Sequence, residues 1–87
     1  PLTRDAVLSI VADQLAEILN IDAEGVRPAD RFAEDLRADS LALVELVDML
    51  EEELSERTAG FEFDDEDLAD LQTVGDAVDY VMARVGG

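Results

Sequence analysis

Asp35-Leu36-Arg37-Ala38-Asp39-Ser40-Leu41 runs directly into Ala42-Leu43-Val44-Glu45-Leu46-Val47-Asp48-Met49-Leu50-Glu51-Glu52-Glu53-Leu54. The first part closes a long irregular segment, and the second has the apolar spacing of a helix. Asp39 is suited to the N-cap, where a carboxylate accepts hydrogen bonds from the free N–H groups of the first turn. Ser40 then stands on that turn, at the positive end of the helix dipole, a place that receives phosphate readily. Asp and Ser are common caps, so these two residues alone require no more than a helix start.

The flanks add to this. Asp35-Leu36-x-Ala38-Asp39-Ser40-Leu41, followed by Val44-Glu45-Leu46 and an acidic run, resembles the acyl carrier protein family. The helix after the motif, the chain length and the tail are similar too, so the resemblance covers nearly the whole chain. It implies that Ser40 carries a 4′-phosphopantetheine arm and that Asp39 helps to orient Ser40 and the metal ion of the loading enzyme. It also implies a single acyl-carrier domain over residues 1–87.

Composition bounds the chemistry independently. Eighty-seven residues make one domain with a modest core. With 48% hydrophobic residues the chain is not a disordered acidic tail, although 33% of it is charged. Its formal net charge of −17 repels nucleic acid and anionic lipid and attracts basic surfaces. The sequence has neither Cys nor His, and all six basic residues are Arg. Thiol nucleophiles, Schiff-base lysines and a self-contained Ser-His-Asp site are therefore excluded, and the chain is not expected to be an enzyme. No apolar run approaches membrane-spanning length and no signal peptide is visible, so a cytoplasmic protein is expected. The first residue is Pro1 rather than Met, so a processed or trimmed chain, or one cut from something longer, is expected.

In chain order, Thr3 is a candidate cap. Val7, Ile10, Val11, Gln14/Leu15 and Ile18 then recur at three and four over a helix from Arg4 to about Asn20. Gly25 and Pro28 exclude a continuous helix between Asn20 and Asp39. A loop of about twenty residues in a compact domain is usually functional or pinned, and Ile21, Val26, Phe32 and Leu36 are the expected pins. Many family members have Gly where this chain has Arg37, so a positive φ there would strain the backbone. Arg37 also places a cation beside the expected attachment point, which suits phosphate binding or altered partner choice equally.

The second helix, Ser40 to about Leu54, has two faces. Leu43, Leu46, Val47, Leu50 and Leu54 form a buried stripe. Leu41, Val44, Glu45, Asp48, Glu51 and Glu52 form a neighbouring face that mixes aliphatics with acids. The family resemblance implies that this second face docks basic partners, with Asp48 standing where some fatty-acid carriers have Met. The next connection contains Gly60 and is longer than in compact fatty-acid carriers. Asp64 or Asp65, in place of the family's frequent Pro, is expected to cap a short helix packed down by Leu68 and Leu71. The run Asp64-Asp65-Glu66-Asp67 lacks calcium-loop spacing, and no metal site is expected. Thr73, with Asp76 three residues on, forms a capping box for the last helix. Its stripe is Val74, Ala77, Val78, Val81 and Val85, with Tyr80 and Met82 off centre, and it ends at Gly86-Gly87. A terminal Gly-Gly also occurs in ubiquitin-like sulfur carriers, but those need strands and this chain has helical period nearly throughout.

The expected fold is all-α: a small four-helix bundle, three longer helices and one short, with a long first loop. The resemblance implies that a phosphopantetheinyl transferase loads Ser40 from coenzyme A, and that the arm's thiol then holds acyl groups as thioesters. Ketosynthase, acyltransferase and other acyl-processing enzymes with basic patches would be the partners, and a monomer is expected. Acyl-pocket candidates are Leu43, Leu46, Val47, Leu50 and Leu54 of the second helix, with Phe63, Leu68, Leu71, Ala77 and Val81. The Ala-Asp-Ser-Leu and Val-Glu-Leu segments are closest to fatty-acid and dissociated polyketide carriers, with the longer connection, Arg37 and Asp48 favouring a specialised pathway. A D-alanyl or peptidyl carrier is the rival within the family. Outside it, the rival is an acidic interaction module or DNA mimic, which accounts for the charge without using Ser40.

Overall fold

The computed structural model describes residues 2–58 and 60–85. Three α-helices carry the fold: α1 (Arg4–Leu19), α2 (Ser40–Ser55) and α3 (Val74–Val85). A six-residue 3-10 helix, Asp65–Asp70, is the short fourth helix, and a single 3-10 turn, Ala23–Gly25, interrupts the first loop. The expected end of the last helix at Gly86-Gly87 lies outside the described residues.

Each helix begins where its capping residue sits. Thr3 Oγ1 accepts the Ala6 N–H at 3.1 Å, and Asp39 accepts from Ala42 in the same way. At α3 the box is complete: Asp76 N–H donates to Thr73 Oγ1 at 3.0 Å, while Asp76 Oδ2 accepts from the N–H groups of Thr73 and Gln72, each at 3.1 Å. α1 stops one residue before the expected position, because Asn20 turns left-handed (φ 57°) and its N–H returns to the Ala16 carbonyl.

The core is aliphatic. Val7, Val11 and Leu15 of α1 meet Leu46, Leu50 and Leu54 of α2 and Val74, Val78 and Val81 of α3, all essentially without solvent contact. Burying each such side chain contributes roughly 1.5–3 kcal/mol, so this nonet dominates the stability of the bundle. α1 lies against both other helices. Ile10, Ile18 and Val85, at the margins of the predicted stripes, are only half-buried, whereas Ala12 and Ala42 are buried.

Two expectations need correction. Ile21 is not a pin: it is 38% exposed, because the chain leaves α1 through the left-handed Asn20 and directs the next side chain outward. Val26 and Phe32 are buried as pins should be, and Leu36 is half-buried. Asp64 occupies the N-cap position of the 3-10 helix but makes no capping bond with its side chain, which turns instead to Arg84 at 2.9 Å. The expected short helix is present and is of the 3-10 type, with Asp67 N–H bonded to the Asp64 carbonyl three residues back.

The first loop is fastened to the start of α3. Phe32 N–H donates to the Gln72 carbonyl at 2.9 Å, Val74 N–H to Asp30 at 2.9 Å and Gly75 N–H to Pro28 at 2.8 Å. The last of these brings the loop backbone close to Gly75. A Cβ built there would stand 3.1 Å from the Pro28 oxygen.

Candidate functional site

The loop that delivers Ser40 is knotted on itself. The Arg31 carbonyl accepts the N–H groups of both Asp35 and Leu36 at 3.0 Å, and Arg31 N–H donates to Asp35 Oδ2 at 2.8 Å. Phe32, 3% exposed, anchors the knot in the core, and the Ala38 N–H returns to the Phe32 carbonyl at 2.7 Å. Closing that last bond requires Arg37 to adopt φ 55°, the left-handed conformation expected for a position that is often Gly. The strain read from the sequence is therefore present.

Asp39 follows in extended conformation (φ −83°, ψ −177°) and caps α2. Its Oδ1 accepts the Ala42 N–H at 2.8 Å and its carbonyl accepts the Leu43 N–H at 3.0 Å. Ser40 is the first residue of the sixteen-residue helix and is exposed to solvent. Its own N–H and that of Leu41 belong to the turn that lacks intrahelical acceptors, so partial positive charge surrounds the hydroxyl.

Beside Ser40 a cleft of about 450 Å³ opens between the loop, the start of α2 and the end of the 3-10 helix. Phe32, Ala38, Leu43 and Leu71 give it an apolar floor. Arg31, Glu34 and Gln72 bring polar groups to its edge, and Arg31 pairs with Glu34 at 2.8 Å. Of the ten acyl-pocket candidates, Leu43 and Leu71 line this cleft. Leu46, Val47, Leu50, Leu54, Phe63, Ala77 and Val81 are buried in the core, and Leu68 is half-buried against it.

The second face of α2 is displayed as the sequence suggested. Leu41 is 66% and Val44 44% exposed, and Glu45, Asp48 and Glu52 stand in solvent around them. Glu51 differs from the other acids: it is half-buried, and its Oε2 accepts the Phe63 N–H at 2.8 Å, holding the connection after α2.

Sequence reading missed the arrangement that holds the far side of the 3-10 helix. Phe63 stacks on Tyr80 with ring centroids 4.7 Å apart and planes 7° apart, and Phe61 meets Phe63 edge-on at 5.3 Å. The Tyr80 hydroxyl accepts the Asp64 N–H at 3.0 Å and donates to Asp67 Oδ2 at 2.9 Å. Arg84 lies over the Tyr80 ring, 4.5 Å from its centre, and bonds to the carboxylates of Asp64 and Asp67. Burial, aided by the hydrogen bond to Asp67, pushes the Tyr80 hydroxyl above its ordinary pKa, although the Asp64 N–H and Arg84 pull the other way. The i, i+4 spacing of Tyr80 and Arg84 was the available signal.

The bundle thus sets the exposed Ser40, at a capped helix start, beside a preformed cleft. Residues 9–81 match the family described as phosphopantetheine attachment site. An acyl carrier protein of Thermosynechococcus vestitus is 46% identical over 81 residues, covering 93% of this chain and 89% of its own. One of Helicobacter hepaticus is 43% identical, covering 94% and 96% respectively. The solved acyl carrier protein of Enterococcus faecalis superposes with a TM-score of 0.73 at 38% identity, over 94% of this chain and 98% of that one. This chain belongs to the phosphopantetheine-binding acyl carrier family; it is a carrier and not an enzyme, and its prosthetic group is 4′-phosphopantetheine. Its role entails meeting a phosphopantetheinyl transferase and acyl-processing enzymes. None of its helices is long and apolar enough to cross a membrane, among the described residues.

Proposed function

We propose that Ser40 is the residue that bears the arm, in a carrier for fatty-acid or dissociated polyketide assembly. The observation that carries this is the exposure of the Ser40 hydroxyl at the first position of α2, with Asp39 capping the helix beside it. An incoming enzyme reaches that oxygen without unfolding the chain, and the helix N-terminus favours the negative charge of a phosphodiester. Asp39 fixes the first turn and keeps a carboxylate next to the reacting hydroxyl. When attached, the arm supplies the thiol that holds an acyl group as a thioester. Incubation with coenzyme A and a broad-specificity transferase, read by intact mass, tests the assignment: the parent gains the arm, and Ser40→Ala keeps its fold and gains nothing. A mass gain in that variant would place the arm on another residue.

The exposed Leu41 and Val44 with Glu45, Asp48 and Glu52 are the docking face of this reading. Apolar contact comes from the two aliphatics, and the acids steer partners that carry Arg and Lys patches, ketosynthase and acyltransferase among them. Glu51 contributes to the field while holding Phe63. Glu45→Lys combined with Asp48→Lys is expected to slow association with a transferase roughly tenfold at low salt and much less at high salt. Identical rates at both ionic strengths would remove the acids from the docking role. The reading describes a monomer working in the cytoplasm. Leu43 and Leu71 are its acyl-facing residues on the cleft, and the remaining candidates form the core that a longer chain has to part.

A further inference from the structure

Six arginines stand among 23 acidic residues, and three of them are tied down. Arg4 pairs with Asp79, Arg31 with Glu34 at 2.8 Å, and Arg84 with Asp64 at 2.9 Å. Arg37 has no carboxylate within ion-pair distance among the described residues. Its side chain is exposed, and it takes no part in lining the cleft beside Ser40, where Arg31 does. Its backbone is nevertheless held on both sides: the Leu36 N–H donates to the Arg31 carbonyl at 3.0 Å and the Ala38 N–H to the Phe32 carbonyl at 2.7 Å. Residue 37 is thereby fixed at φ 55°, a conformation unfavourable to side chains other than Gly, Asn and Asp. The chain thus carries strained backbone two positions before the cap of α2, at a cation that no acid among the described residues neutralises.

Strain of this kind gathers where a surface is used. The surroundings define that use. Asp35 just before Arg37, and Glu45 and Asp48 on the outer face of α2, are solvent-exposed acids. Residue 37 lies three positions from Ser40, at most about 11 Å along the chain, so an enzyme that reaches Ser40 covers Arg37 as well. If that enzyme answers the acidic face with Arg and Lys alone, one of its cations is set against Arg37, and like charges brought together at an interface weaken it and slow encounter. We propose that Arg37 is a partner-selecting residue: it rejects enzymes whose docking patch is uniformly basic and admits one that interrupts the patch with a carboxylate opposite residue 37. A built-in repulsion discriminates between partners as well as an added attraction does. The fixed backbone keeps the root of the guanidinium in one place, which narrows where that carboxylate has to stand. The selection rests on the docking role of the α2 face and on Ser40 as the attachment point, and the experiment separates these claims.

The probe is a phosphopantetheinyl transferase with a basic docking patch. Its loading of the parent, Arg37→Asn, Arg37→Glu and Arg37→Lys is followed by intact mass at low and at high salt. Asn tolerates the left-handed backbone, so it removes the charge without moving the loop, while Lys keeps the charge. At low salt kcat/KM is expected to rise about threefold for Arg37→Asn and about tenfold for Arg37→Glu, through KM, and to stay near the parent value for Arg37→Lys. At high salt the differences largely vanish. Each Arg and Lys of the transferase patch is then changed to Glu in turn, and one such change is expected to speed loading of the parent and slow that of Arg37→Glu. Rates for Arg37→Asn and Arg37→Glu at or below the parent, or no transferase residue with that opposite effect, would overturn the selection. If the Glu45→Lys, Asp48→Lys variant is still slowed in the same assay, the docking face and the attachment point survive that failure. A parent that gains no mass would overturn the attachment and the selection together.

Discussion

Tyr80→Phe removes a single oxygen atom, and the structure says what that atom holds. The hydroxyl accepts the Asp64 N–H at 3.0 Å and donates to Asp67 Oδ2 at 2.9 Å, so it joins α3 to both ends of the first turn of the 3-10 helix. The ring stays, so the stack on Phe63 and the position of Arg84 over the ring are retained. A net hydrogen bond is worth about 0.5–1.5 kcal/mol, and one to a charged group about twice that when dry. Asp64 is exposed and Asp67 only half-buried, so both bonds belong at the lower end. The expected loss is about 1.5 kcal/mol. For a domain of this size that lowers Tm by roughly 6–12 °C, measured by circular dichroism at neutral pH. Amide exchange at Asp64 should quicken alongside. The sign with pH is also set. The folded state raises the Tyr80 pKa, so it holds the proton more tightly than the unfolded chain; that contribution is complete below the ordinary tyrosine value and is lost as pH rises above about 10. The gap between parent and variant should therefore narrow in alkali. A variant that melts within about 2 °C of the parent, with unchanged exchange at Asp64, would refute the reasoning.

Arg37→Gly should stabilise the protein by about 0.5–1 kcal/mol, since relief of the left-handed strain outweighs the added freedom of glycine in the unfolded chain; a rise in urea midpoint at constant m-value checks it, and a fall would contradict it. Gly75→Ala should give none of the gain of up to about 1 kcal/mol that alanine usually brings to a helix, because the new methyl group presses on the Pro28 oxygen; a urea midpoint raised by the full amount would show that the loop yields freely.

The three α-helices were legible because their information is local. Thr3, Asp39 and the Thr73/Asp76 box mark the starts, and apolar spacing marks the lengths. Ser40 and the aliphatic-acidic face were legible for the same reason, since a capped helix start and a second helical face are written in consecutive residues. Other features depend on chain segments meeting. Asp64 was free to cap as far as its neighbours could tell, but Arg84, twenty residues on, claims its carboxylate. Ile21 has the composition of a pin, and only the turn at Asn20 decides that it faces water. Glu51 was read with its neighbouring acids until the Phe63 N–H arrived beside it. The cleft was invisible for a further reason: it is made by backbone bonds between residues 28–32 and 72–75, and backbone groups leave no trace in side-chain pattern.

Those crossing bonds have a mechanical consequence. The chain on one side of residue 40 is wound into α2, and on the other side it is moored to α3 through Phe32, Val74 and Gly75. If Ser40 bears the arm as proposed, tension applied there by a partner enzyme meets a clamped anchorage in both directions. On that proposal, how far cargo travels into a partner's tunnel is a matter of the length and freedom of the arm, while the protein serves as a fixed mast.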